Sequence, residues 1–181
     1  MGNRLNNLPT IRVFQQTITA GGTAEKLTVK KVASTIAFVN NSPDPDTITD
    51  SGSGFLTAGF KAGDVITVSG SSSNDGTYVI ASVVAGTITL TESNVLTNEG
   101  ASATVKIVTP VVVSDGISVT IKAKYGNSNP LFLGHSSASA KSTGFVLRNN
   151  ESIGLQVSQT DEIWIDGTTG EGVEVILEQN N

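Results

Sequence analysis

The sequence contains no cysteine, one histidine, one tryptophan and only 15% charged residues among its 181. Without cysteine, disulfide bonds, thiolate catalysis and cysteine-ligated zinc are all excluded. His135 has no second histidine with which to form a metal site, and it follows a predicted strand, where a hydrogen-bonding turn residue is the simpler interpretation. We therefore expect a protein that is not an enzyme, has no catalytic residue, and binds neither a metal nor a cofactor.

Acidic residues are spread through predicted loops rather than gathered in a motif. Asp44, Asp46 and Asp50 place alternating oxygens in one loop, and weak calcium binding is the alternative to a solvated loop. Pro45 interrupts that spacing, however, and no bidentate glutamate closes it as in an EF-hand. A second acidic set, which predicts solubilising charge beside a strand, comprises Asp161, Glu162, Asp166 and Glu171.

Basic residues are scattered, and the net charge is −5. A surface for nucleic-acid phosphates needs clustered lysine and arginine, so we expect no nucleic-acid partner. The first ten residues contain no apolar core of a signal peptide, and no apolar run reaches the roughly 18 residues of a membrane span. We expect a chain that is made in a cytoplasm, has no membrane partner and stays in solution until it meets its partner.

What the sequence does contain is strand-like alternation. Val65, Thr67 and Ser69 alternate with Ile66 and Val68, which is the period of two of a strand with one buried face. Turns rich in Gly, Asn and Asp separate such runs along the whole chain. No stretch keeps the period of an amphipathic helix. The predicted fold class is all-β, with polar but uncharged faces.

The runs group into two β units, one inserted in a loop of the other. Residues 34–108 hold about five or six short strands, typical of a small β-barrel or sandwich, and residues 55–60 predict a helical turn or loop whose aromatic rings plug its core. Residues 15–33 together with 109–181 supply about seven or eight strands, enough for a jelly-roll-like β-sandwich. Two tandem domains divided near Pro110 are the alternative.

Residues 1–14 precede the first predicted strand and indicate an extended N-terminal arm, with a frayed terminus as the alternative. The arm is the first candidate for a strand-adding or groove-filling contact with a partner. Its candidate interface residues are Leu5, Leu8, Ile11, Val13 and Phe14.

Trp164 is a further candidate interface residue, because it alternates with Ile163 and Ile165. Its ring therefore points to the opposite face of a strand from both isoleucines. If the isoleucines line the core, Trp164 lies on the outer face and can anchor an interface. The alternative is that Trp164 fills the core and the isoleucines face a neighbouring subunit.

Two segments resemble proteins of tailed bacteriophage particles. Residues 47–90 resemble a small β module of phage virion proteins, carried by Phe55, Gly59, Phe60, Gly63, Asp64 and the turn from Gly70 through Asn74, Asp75, Gly76 and Thr77 to Tyr78. Residues 113–179 are similar to phage head-decoration or structural proteins, carried by Asp115, Gly116, Gly126, Asn127, Leu133, Gly134, Glu151, Ser152, Trp164, Ile165 and Asp166. These are turn and strand motifs, so they specify architecture more closely than role.

The resemblance implies a non-enzymatic virion structural protein that decorates and stabilises the capsid by binding across capsomer junctions. Its partners would be the major capsid protein and two further copies of itself in a homotrimer, on the outer capsid surface of a virion assembled in the host cytoplasm. A tail, collar or baseplate structural or adaptor protein is the alternative. A carbohydrate-binding module that takes a host-surface glycan is the second alternative, with Tyr78, Tyr125 and Trp164 as candidate sugar platforms.

Overall fold

A computed structural model describes residues 12–113, 117–141 and 144–179. The chain is all-β, as the alternation predicted. The strands are short, from two to nine residues, because runs rich in β-branched side chains are separated by turns. The described strands are β1 (Arg12–Thr17), β2 (Glu25–Lys26), β3 (Val29–Ala33), β4 (Ile36–Val39), β5 (Thr47–Asp50), β6 (Val65–Ser69), β7 (Gly76–Val84), β8 (Thr87–Leu90), β9 (Val105–Thr109), β10 (Ile117–Ala123), β11 (Leu131–Gly134), β12 (Phe145–Leu147), β13 (Ser152–Leu155), β14 (Trp164–Asp166) and β15 (Gly172–Gln179). Helical structure is confined, within the described residues, to short turns that include α1 (Phe55–Ala58) and a 3₁₀ turn at Thr160–Glu162.

The strands form two compact units. Unit 1 comprises residues 1–27 and 111–181, and unit 2 comprises residues 28–110. In unit 1, β1 pairs along its whole length with β15, so residues from both sides of unit 2 share one sheet. Two tandem domains divided at Pro110 would not give that pairing.

Unit 1 is a sandwich of two four-stranded antiparallel sheets. The strand orders are β1-β15-β10-β13 and β12-β11-β14-β2. Numbered along unit 1 alone, these are 1-8-3-6 and 5-4-7-2, the order of a jelly roll. Its core lies between the sheets because alternate residues of each strand point inward, among them Phe14, Val119, Ile121, Val175, Leu133 and Ile165.

Unit 2 is a single seven-stranded antiparallel sheet in the order β3-β9-β6-β7-β8-β5-β4. Strand β7 pairs with β6 through its first half and with β8 through its second, with a bulge between Ile80 and Ser82. The end strands β3 and β4 are joined by only Ser34 and Thr35. The bulge bends the sheet, and the short connection holds its two edge strands close together. The sheet is therefore rolled around one core.

Aromatic rings fill the core of unit 2, as residues 55–60 predicted. Phe55 begins α1, and Gly59 ends it in the left-handed conformation with φ 99°. That turn directs Phe60 back toward Phe55, and the rings meet edge to face with centroids 6.1 Å apart. Both side chains are buried with Phe38 and Ile80. The prediction that the aromatics of this turn plug the small sheet is confirmed.

The boundaries differ from those expected from the sequence. Strand β3 was expected in the sandwich, but it pairs with β9 from Val29 to Ala33 and belongs to unit 2. The expected arm, residues 1–14, also ends earlier, because Arg12 already begins β1. Both differences have one cause: alternation identifies a strand but does not identify its partner.

Candidate functional site

Unit 1 contains an apolar groove with a volume of about 660 Å³. One wall is formed by β13 and the residues that follow it, Ile153, Leu155 and Val157. The facing wall belongs to the other sheet, and the groove is completed there by Leu133, Gly134, His135, Phe145, Glu162, Ile163 and Trp164. We refer to this site as the groove.

The groove exists because both β13 and β12 are edge strands. Along β13, Ile153 and Leu155 are half-buried whereas Ser152 and Gly154 are exposed. No further described strand continues either sheet beyond these edges. Inward-facing side chains at an edge are covered on one side only, so their apolar surface reaches the solvent. Phe145, at the start of β12, is 55% exposed for the same reason.

Trp164 lies half-buried in the facing wall, while Ile163 and Ile165 are buried. Of the two arrangements that the alternation left open, the structure has the isoleucines in the core. The Lys26 ammonium lies 5.8 Å from the centre of the indole ring, within range of a cation–π contact. Lys26 also pairs with Asp161 at 3.3 Å. The ring is therefore held in place while part of it stays accessible, as an interface anchor requires.

The rim of the groove carries a carboxylate. Glu162 accepts hydrogen bonds from the Ser158 hydroxyl and from the Gln159 backbone N–H. The Ser158 hydrogen bond is the main reason that the pKa of Glu162 lies below its ordinary value. Glu162 is thus ionised near neutral pH. The groove is an apolar slot with one negative charge at its edge, and it suits an apolar segment that carries a cation.

The arm residues fall into three groups. Leu5, Leu8 and Ile11 lie outside the described residues. Val13 is 52% exposed on β1 and remains accessible. Phe14 is only 2% exposed and packs inside the sandwich. The expectation that Phe14 is an interface residue is wrong for this structure, because the β1–β15 pairing turns its side chain into the core.

Asp46 and Asp50, expected in a solvated or calcium-binding loop, are buried. The Asp46 carboxylate accepts backbone N–H groups of Asn41 at 2.9 Å and of Val95 and Leu96 at 2.8 Å each. Asp44 alone of the set is exposed. The carboxylates of Asp46 and Asp50 hold loops together by accepting hydrogen bonds. They belong neither to a solvated loop nor to a calcium-binding loop.

Asp50 has the most hydrogen-bond and ion-pair partners of these three aspartates. It accepts hydrogen bonds from the Thr35 hydroxyl and from the N–H groups of Gly52 and Gly54, and it pairs with Lys31 at 3.0 Å. Burial works to raise its pKa, but these hydrogen bonds outweigh burial and lower it to about 2. A carboxylate that remains charged while fully buried is satisfied by its neighbours.

Asp166, at the end of β14, and Glu171, in the loop that follows it, were expected as surface charge but are also buried. Asp166 accepts N–H groups of Gly22 and Gly167, and Glu171 accepts those of Ser128 and Asn129. In the described part of the chain, no three His, Cys, Asp or Glu side chains are grouped so as to hold a metal ion. His135 is exposed at the groove.

Acid should destabilise unit 2 through Asp50. The folded-state pKa is below the unfolded value, so this stabilisation is present above pH 4 and is lost as the pH falls toward 2. The difference between 3.8 and about 2 corresponds to about 2 kcal/mol. We expect thermal unfolding, followed by circular dichroism, to show a steeper loss between pH 4 and pH 2 in the natural chain than in Asp50→Asn. Parallel curves would contradict this assignment.

Sequence reasoning missed most of the groove. Phe145, Ile153, Leu155 and Val157 all lie in or beside predicted strands, so their inward direction was readable. The accessibility of these side chains could not be predicted, because it depends on which strands lie at the edges of each sheet. The signal that was available is the pattern Ile-Gly-Leu-Gln-Val at 153–157, in which every second residue is apolar and glycine weakens the strand.

Comparison with protein-family models, curated proteins and solved structures finds no match to this chain. Among the helical segments of the described residues, none has the length and apolar character needed to cross a bilayer. The groove and the exposed face of β1 are the features from which a function has to be argued.

Proposed function

We propose that this chain is a non-enzymatic structural protein of a tailed-bacteriophage virion, which decorates the capsid and stabilises it by binding across capsomer junctions. The observation that carries the proposal is the jelly-roll order of unit 1, an architecture common in viral capsid proteins. The same unit contains residues 113–179, the segment that resembles head-decoration proteins. The partners are the major capsid protein and further copies of this chain in a homotrimer.

The mechanism is mechanical. Each copy lays an apolar contact across a junction, and burial of that contact opposes separation of the capsomers. Val13 on β1 and the accessible part of Trp164 supply apolar surface of this kind, and the net charge of −5 suits an outer location away from packaged DNA. Many copies on one shell act together, so each contact can be modest.

The copy number in purified particles tests this proposal. Quantitative mass spectrometry against the major capsid protein should give a fixed ratio near one copy per capsid subunit. That ratio follows from a role in which every junction is covered. A ratio tens of times lower would replace the proposal with the alternative, a tail, collar or baseplate component. Absence from particles would overturn the virion assignment itself.

A further inference from the structure

The groove has the chemistry to bind an extended apolar segment. Ile153, Leu155 and Val157 project into it from successive alternate positions, which places them over about 13 Å of strand. Phe145 faces them across the slot, Trp164 is also among the residues that line it, and ionised Glu162 lies at the rim. A matching occupant would be extended, apolar along one side, and positively charged near one end.

The residues before Arg12 have that pattern. Leu5, Leu8 and Ile11 recur every third residue, and Pro9 lies among them. A period of three is that of a polyproline II helix, in which these side chains lie on one side over about 19 Å. Arg4 precedes the apolar residues, and residues 1–11 contain no acidic side chain. The segment therefore complements both the apolar walls and the negative rim of the groove.

The register of the sheet determines whether residues 5–11 can bind in the groove of their own chain or only in that of another copy. Arg12 pairs with Leu177, Leu177 with Val119, and Val119 with Leu155 in the groove wall. Three strand spacings, about 14 Å, thus separate Arg12 from that wall. Ile11 is bonded to Arg12 and cannot cover this distance. Leu8 would need the intervening chain fully extended. The chain's own groove cannot take the three apolar residues together, whereas the groove of another copy can.

We propose that residues 5–11 of one chain bind in the groove of a second copy. Leu5, Leu8 and Ile11 fill the slot between β13 and the facing wall, and Arg4 lies near Glu162. Exchange of this segment between copies links them into an oligomer. This inference does not rest on the virion assignment, because association in solution and copy number in particles are measured separately.

The absence of native cysteine permits a direct test by cross-linking. One full-length chain carries Leu8→Cys, and a second, tagged to differ in mass, carries Val157→Cys. Mixed and oxidised, they should form a disulfide-linked heterodimer. The matched control replaces Val157→Cys with Val84→Cys, since Val84 is a 59% exposed residue of unit 2. We expect at least about tenfold more heterodimer with Val157→Cys, because a bound segment raises the effective thiol concentration.

Two further measurements make the outcome decisive. Adding Phe145→Asp to the Val157→Cys chain should reduce the cross-link to the control level, with circular dichroism to verify folding. A synthetic peptide of residues 1–11 should compete, and the same peptide with Leu8→Asp should not, which requires no change in the folded protein. Equal cross-linking of Val157→Cys and Val84→Cys would overturn the proposal. So would a chain carrying both Leu8→Cys and Val157→Cys that closes only an internal disulfide.

Discussion

Replacement of Asp50 by alanine is expected to lower the free energy of unfolding of unit 2 by about 3–5 kcal/mol. The carboxylate is fully buried and pairs with Lys31, whose side chain is itself only 22% exposed. Alanine would leave that ammonium and the N–H groups of Gly52 and Gly54 without their acceptor. Removing one member of a buried, hydrogen-bonded pair has a large effect because its partners stay desolvated.

Hydrogen exchange of backbone amides measures this effect where it occurs. Amides of β5 and β8 should exchange faster in Asp50→Ala, while those of β10 and β15 in unit 1 serve as the internal reference. Asp44→Ala, an exposed aspartate of the same segment, is the matched control and should change exchange little. Equal exchange rates in the two variants would show that the Asp50 hydrogen bonds do not stabilise unit 2.

Asp50 shows that the role of an isolated acidic residue depends on the three-dimensional structure around it. The sequence offered two interpretations of the acidic residues at 44–50, a calcium site or a solvated loop. Both assumed that the carboxylates face outward. In the structure Asp46 and Asp50 point inward, where each accepts several N–H groups of irregular backbone that no strand satisfies. Which carboxylate is buried follows from loop closure across distant segments, and local spacing does not encode that.

Strand positions were predictable to the extent that they follow from period and turn chemistry. The alternation at 65–69 becomes β6, and the aromatic pair at 55 and 60 fills the core of unit 2. The pairing of the strands was not predictable. Strand β1 pairs with β15 from the far end of the chain, and β3, which was expected in the sandwich, pairs with β9 in unit 2. The groove depends on pairing alone, since it lies where two sheets end.

Replacement of Phe14 by alanine is expected to destabilise unit 1 by about 3–5 kcal/mol, the usual effect of removing a buried phenylalanine ring. Val13→Ala is the matched control, since the neighbouring side chain is 52% exposed and its loss should change stability by less than about 1 kcal/mol. Trp164 is the only tryptophan and belongs to unit 1, so its fluorescence during urea unfolding reports this unit.

The pair of variants also separates two roles for the start of the chain. If Phe14 is a core residue, Phe14→Ala lowers the urea midpoint of the isolated protein, with no partner present. If it were an arm residue that contacts a partner, both variants would unfold like the natural chain and differ only in binding. Equal urea midpoints for the two variants and the natural chain would therefore indicate that Phe14 is an arm residue. They would contradict the β1–β15 pairing that buries its side chain. A lowered midpoint for Phe14→Ala alone would limit the accessible contact residues of β1 to those that, like Val13, face away from the sandwich.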